Sequence, residues 1–278
     1  DILDGRLTEI VWPELVLRAT RIGERDLLIL TGAEPDYRWR EFADAIIELI
    51  RTNPRAVLGL ATGSTPLPVY AALAERITGV DASQVQGFAL DEYVGLPASH
   101  PESYRSVITR EVVEPLGLNP SLVHVPRGEG ESPQTAGAEY EAAIEAAGGI
   151  DLQILGIGTD GHVGFNEPGS SFASLTRVKT LTRQTREDNA RFFASIDEVP
   201  RHCVTQGLGT ILRAKHIVLL AFGAGKARAV AAAVEGALTA TVPGSVVQLH
   251  EHATIVVDEE AAAELANADY DRYTYENK

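Results

Sequence analysis

Short apolar runs alternate along the chain with stretches whose apolar residues recur every three or four positions. The runs "DLLILT" (26–31), "AVLGLA" (56–61), "VQGFAL" (85–90), "DLQILGIG" (151–158), "HIVLLAF" (216–222) and "ATIVVD" (253–258) read as strands. Most are nearly continuous in apolar character, as strands covered on both faces are. The helical pattern falls between them, at roughly 38–51, 65–77, 101–114, 134–147 and 224–236. In the first of these, Phe42, Ile46, Leu49 and Ile50 share one face. Alternation of strand and helix predicts right-handed crossovers. The expected fold is therefore α/β and Rossmann-like, a mainly parallel sheet with helices on both faces.

Composition adds limits rather than detail. The 278 residues are within reach of one α/β domain, and 45% hydrophobic with 23% charged residues is ordinary for a globular chain. No repeat or low-complexity tract divides it, so residues 1–278 are read as a single domain. The "RGEGESPQ" loop (127–134) reads as its most flexible connection. No apolar run approaches the length of a membrane span, and no charged-then-apolar opening predicts a secretory signal. The net charge of −15 argues against nonspecific binding of nucleic acid or anionic lipid. Cys203 is the one cysteine, which excludes an intrachain disulfide and a thiolate metal cluster and points to a reducing, cytoplasmic setting. The chain contains no methionine and starts with Asp1, so the natural protein is expected to extend upstream.

Ligands of such sheets bind beyond the carboxyl ends of the strands. Three segments there carry chemistry. In "GLATGSTP" (59–66), a strand runs into Thr62, Gly63, Ser64 and Thr65, with Pro66 placed to open a helix. Backbone N–H groups at such a turn, with the helix dipole and the two hydroxyls, suit an anion. By itself the stretch reads more simply as a turn capped by Ser or Thr. It lacks the pattern of an ATP-type phosphate loop.

In "FALDEYVGLPASHPESY" (88–104), Asp91 and Glu92 follow an apolar run directly. A carboxyl in such a place can have a raised pKa and act as a general base. The plainer reading is one carboxylate capping a turn and the other solvated. His100 and Ser103 lie at a helix start and read as capping groups.

In "LGIGTDGHVGFNEPGSS" (155–171), Asp160, His162 and Glu167 fall on one glycine-rich loop. Imidazole passes protons both ways near neutrality, and flanking carboxylates fix its tautomer. A metal site is the competing chemistry. One histidine, without a second nitrogen ligand at metal-binding spacing, weakens it, so no metal is expected.

Together "LGLATGSTPLPVY", "FALDEYVGLPASHPESY" and "LGIGTDGHVGFNEPGSSF" resemble the glucosamine-6-phosphate deaminase family. The resemblance continues through "TRVKTLTRQTREDNARFF" (176–193), "FGAGKARAV" (222–230) and "VVQLHEHATIVVD" (246–258), covering about residues 45–260. It implies conversion of glucosamine 6-phosphate to fructose 6-phosphate and ammonia, with no cofactor. Asp91 matches the family's C2–C1 proton carrier and His162 its ring-opening group, with Asp160 and Glu167 as carboxylate partners. Thr62, Gly63, Ser64, Thr65, Arg191 and Lys226 match its phosphate-binding groups. Ser170, Ser171, Arg177 and Lys179 match the residues that bind an allosteric sugar phosphate in some members, which leaves a homo-oligomer open. Tyr270 and Tyr273 lie near where those members place an aromatic, in a segment that matches poorly.

Residues 1–44 depart from the family. They resemble instead a segment of an actinobacterial proteasome-assembly-chaperone-like family, as in a fusion or chimera, yet still read as a strand and an amphipathic helix. Two alternatives stand beside the deaminase. One is a 6-phosphogluconolactonase-like hydrolase of the same fold, whose D-G-H loop usually continues differently from "VGFNEP". The other is a non-catalytic sugar-phosphate sensor or inactive chimera.

Overall fold

The computed structural model describes residues 17–22, 25–30, 35–130 and 133–266. Tyr270, Tyr273 and residues 1–16 of the atypical N-terminal segment lie outside the described residues. Eight strands form the main sheet: β1 (Leu17–Ile22), β2 (Arg25–Leu30), β3 (Val57–Leu60), β4 (Gln86–Ala89), β6 (Val123–His124), β7 (Leu152–Gly156), β10 (His216–Ala221) and β11 (Ala253–Asp258). Their order is β1-β2-β11-β10-β7-β3-β4-β6. All pairings are parallel except that of β1 with β2.

Each apolar run read as a strand is one of these strands. Their burial explains the legibility: β3 is buried at every position, and β10 and β11 at all but one. Such strands need no polar face, so the whole run is apolar. β1 was not expected. It is an antiparallel edge strand on β2, at the end of the sheet.

Helices α1 (Pro35–Thr52), α2 (Leu67–Arg76), α5 (Pro133–Ala146) and α8 (Ala227–Val234) fall where the periodicity predicts them. On α1, Ile46 and Ile50 are buried, with Phe42 and Leu49 partly buried beside them. Complete burial of one such side chain is worth about 1.5–3 kcal/mol. The helix expected over 101–114 is α3 (Tyr104–Ile108), which runs through a π-helical stretch at Thr109–Val113 into α4 (Glu114–Leu116). Two short helices were not foreseen, α6 (Arg183–Asn189) and α7 (Leu208–Ile211). At the start of the 127–134 loop the Arg127 guanidinium reaches Glu139 at 3.0 Å. Among the described residues no helix is long and apolar enough to cross a membrane.

A second, antiparallel sheet went unread: β5 (Asp91–Tyr93), β9 (His202–Thr205) and β8 (Arg177–Thr180), in that order. It begins immediately after β4. Leu90 donates its N–H to Leu60 of the main sheet and accepts from the N–H of Gln206, just past β9. The chain thus changes sheets at one residue, and Asp91 is the first residue beyond the change.

At the opposite, amino end of β10, His216 holds Thr254 at 2.8 Å. Burial, and then the charges of His250 and His252, push its imidazole down to about 4. A neutral buried histidine favours the folded state above its unfolded pKa, and that advantage is lost as pH falls from about 6.5 through 4. The contribution amounts to at most about 3 kcal/mol once fully titrated. His216→Gln is expected to flatten the acid side of the stability curve, as read by urea unfolding at pH 7 and pH 4.5. Identical losses on acidification in parent and variant would contradict this.

Candidate active site

The carboxyl ends of β3, β4 and β7 open onto a cavity of about 370 Å³. Thr62, Gly63, Ser64, Thr65, Asp91, His162, Arg191 and Lys226 all line it. Residues assigned to separate motifs therefore share one space.

The turn after β3 is held from beneath. Tyr70 on α2 donates its hydroxyl to the Ala61 carbonyl at 2.9 Å and accepts the Ala61 N–H at 3.1 Å. The turn is not Ser- or Thr-capped: the cap residue of α2 is Pro66, with no side-chain cap bond. The hydroxyls of the turn are instead on the cavity side, and Arg191 reaches Ser64 Oγ at 3.4 Å. Arg191 also lies 4.7 Å from the centre of the Phe192 ring. Lys226 donates to the Ile157 carbonyl at 2.7 Å. Burial lowers its ammonium pKa, against the opposing pull of Asp188 and Asp160.

The acidic pair of β5 divides its labour. Glu92 accepts N–H bonds from Tyr93 at 2.8 Å, Tyr104 at 3.0 Å and Arg105 at 2.9 Å. It therefore holds the start of α3, alongside Ser103, which accepts from the Ser106 N–H. His100 likewise turns inward, its Nδ1 accepting the Glu102 N–H. Asp91 is not solvated, as the plainer sequence reading had it, but buried at 5% exposure. Burial pushes its carboxyl up to about 8, and the Glu92 charge adds to the push. The neighbouring Thr205 hydroxyl and Phe165 N–H pull the other way.

On the third loop, His162 Nδ1 lies 2.6 Å from Asp160 Oδ1 and 3.9 Å from Glu167 Oε2. Asp160 also accepts the His162 N–H at 3.1 Å, and Glu167 Oε1 accepts the Thr182 N–H at 2.9 Å. Half-burial raises the Asp160 pKa, but its bond to His162 and the imidazole's charge outweigh this and leave it lowered. Gly158 explains part of the glycine content. A Cβ there would stand 2.3 Å from the His162 ring, so the ring packs flat on the backbone only because position 158 has no side chain. With Nδ1 committed to Asp160, Nε2 is the ring nitrogen left for proton transfer.

The remaining candidates lie behind the loop. Ser170 donates to the Glu167 carbonyl at 2.7 Å and Ser171 accepts the Ala173 N–H at 3.2 Å. Arg177 donates to Asn166 Oδ1 at 2.6 Å, and Lys179 stands on β8. Sequence reasoning missed Tyr104, Asp188, Asn189 and Thr205. The first three line the cavity, and Thr205 faces Asp91 across the small sheet. Tyr104 closes the "HPESY" stretch and was within reach. Thr205 carried no signal, because its place depends on strand register.

A cavity at the carboxyl edge of a parallel sheet, lined together by Asp91, His162, Arg191 and Lys226, agrees with what the comparisons with known proteins show. The chain belongs to the glucosamine-6-phosphate isomerase/6-phosphogluconolactonase family, whose sequence pattern matches residues 38–256. It is 60% identical over 248 residues to the glucosamine-6-phosphate deaminase of Bifidobacterium longum subsp. infantis, covering 85% of this chain and 92% of that one. It is 58% identical to that of Pseudarthrobacter chlorophenolicus, covering 91% and 97%. Among solved structures, a monomeric glucosamine-6-phosphate deaminase matches with a TM-score of 0.82 at 37% identity, over 85% of this chain and 99% of that one. A 6-phosphogluconolactonase from Thermotoga maritima shares the fold, with a TM-score of 0.67 at 20% identity, over 84% and 99%.

Asp160, His162 and Glu167 offer three donor atoms within 4.8 Å of one another. A metal there would have to displace the proton shared by His162 and Asp160, and it would find one nitrogen donor where zinc sites usually supply more. Equilibrium dialysis against Zn²⁺ is expected to give no stoichiometric ion that depends on His162. A tightly held ion lost in His162→Gln would contradict this.

Proposed function

We propose that the chain is a glucosamine-6-phosphate deaminase, acting within a reducing, cytoplasmic compartment. The observation that carries the reading is one cavity lined at once by Asp91, His162, the Thr62–Thr65 turn, Arg191 and Lys226. The identity of about 60% to proteins of that activity supports the same substrate.

In this reading the phosphate rests on the Thr62–Thr65 turn, with Arg191 and Lys226 as its cations. A charged ligand there would meet donors that already line the cavity, which lowers the cost of ordering them. The far end of the sugar then reaches the acidic groups. His162 exchanges protons through Nε2 with the ring oxygen and the C1 hydroxyl, opening the pyranose to the aldehyde. Asp160 and Glu167 hold the imidazole in place.

Asp91 next removes the proton from C2, leaving an enolamine across C1 and C2. It returns a proton to C1, which leaves an imine at C2. Water adds to that carbon and ammonia departs, giving fructose 6-phosphate. One water is consumed and one ammonia released, and no electrons leave the sugar, so no redox cofactor is required. A carboxyl near 8 suits this shuttle, because both its forms are populated close to neutrality. The outer groups Ser170, Ser171, Arg177 and Lys179 are read as a regulatory sugar-phosphate site, with effector binding as its test.

The direct test is release of ammonia from glucosamine 6-phosphate by the purified protein. Asp91→Asn is expected to keep affinity for the substrate and to lose about two to four orders of magnitude in turnover. Near-normal turnover would remove Asp91 from the mechanism. His162→Gln is expected to lose most activity on the cyclic sugar, but much less on an analogue locked open. Equal losses on both substrates would assign His162 to a step after ring opening.

A further inference from the structure

The side chain opposite Asp91 adds a second group to proton transfer at carbon. In the antiparallel ladder of β5 and β9, Asp91 pairs with Thr205. Thr205 is fully buried. Its Oγ1 accepts the Phe165 N–H at 3.1 Å, and the hydroxyl stands beside the Asp91 carboxyl, where it favours the ionised form. In the free protein the hydroxyl donates to the Gln206 carbonyl at 3.3 Å. Gly164 lets the His162 loop close over this pair. It has φ +55°, and a Cβ there would stand 3.1 Å from Thr205 Oγ1 and 3.5 Å from Asp91 Oδ2.

A hydroxyl has one proton and two lone pairs. With Asp91 ionised, the Thr205 proton belongs on the carboxylate. With Asp91 protonated, the same hydroxyl can turn to the Gln206 carbonyl and offer a lone pair to the carboxyl proton. We infer that Thr205 is a positioning residue for the proton-carrying carboxylate: its hydroxyl aims Asp91 into the cavity and turns between Asp91 and Gln206 as the proton moves. The inference rests on the deaminase reading of Asp91.

Other groups around Asp91 do not supply this function. Glu92 and Tyr93 follow it on β5, Cys203 lies on β9, Tyr104 on α3 and Tyr140 on α5 interact with its charge, and His162 lines the same cavity. The tyrosines and Cys203 are pushed towards their neutral forms by burial, and Glu92 raises the Asp91 pKa further. Thr205 and the Phe165 N–H are what stabilise the carboxylate.

The test compares Thr205→Val, Thr205→Ala and Thr205→Ser. Val keeps the shape and Ala reduces it, both without the hydroxyl, while Ser retains the hydroxyl. Their kcat/KM is measured against pH with glucosamine 6-phosphate, and binding of a cyclic unreactive analogue is measured by calorimetry. Folding of each variant is checked by thermal unfolding. Ser is expected to follow the parent. In Val and Ala the acid limb should move up by about one pH unit, a tenfold loss on the acid side that recovers at higher pH. Analogue binding should stay within about twofold of the parent, since the phosphate contacts are elsewhere. Either hydroxyl-free variant is sufficient. An unmoved acid limb, or a Ser variant shifted as far as Val or Ala, would overturn the role of Thr205. A parent that releases no ammonia would instead overturn the deaminase reading itself.

Discussion

The structure turns on the change of sheets at Leu90. Its N–H belongs to the main parallel sheet through Leu60, and its carbonyl belongs to the small sheet through Gln206. Both backbone groups are satisfied, which a buried chain requires. The consequence falls on the next residue. Asp91 stands at the carboxyl edge of one sheet and in the first rung of another, so its carboxyl is buried although it borders a cavity. Few arrangements desolvate a carboxyl and still expose it to substrate.

The other parts of the site are brought to that carboxyl by several different elements. The His162 ring lies on the bare backbone of Gly158 and is fixed by Asp160. Glu167 ties the same loop to Thr182, at the start of α6, and α6 leads directly to Arg191. The turn after β3 is pinned by Tyr70. Acid-base groups and cations thus come from different elements, linked by bonds such as that from Lys226 to the Ile157 carbonyl, and share the cavity. This division suits a reaction in which an anchor must stay still while protons move elsewhere.

The parallel strands were legible because burial on both faces leaves no polar position to confuse the pattern. The second sheet was not, because "DEY", "RVKT" and "HCVT" are short and mix polar with apolar residues. The site was partly legible for a related reason. Asp160, His162 and Glu167 are close in sequence, and a glycine-rich loop after a strand marks them. Asp91 and Glu92 were visible as a pair, but nothing local separates the acid that lines the cavity from the equally buried one that holds α3. That distinction comes from β9 and from the N–H groups at Tyr104 and Arg105. Thr205 was illegible for the same reason, since only the register of the antiparallel ladder sets it opposite Asp91.

The central claim is that the fold itself, before any substrate binds, holds Asp91 at a proton affinity suited to the shuttle. Carbon-13 NMR of the aspartate side-chain carboxyls in the free protein tests it directly, with Asp91→Asn identifying the signal. The account predicts one aspartate titrating near pH 8, absent from the variant. An Asp91 signal titrating near pH 4, with the ordinary carboxylates, would contradict it.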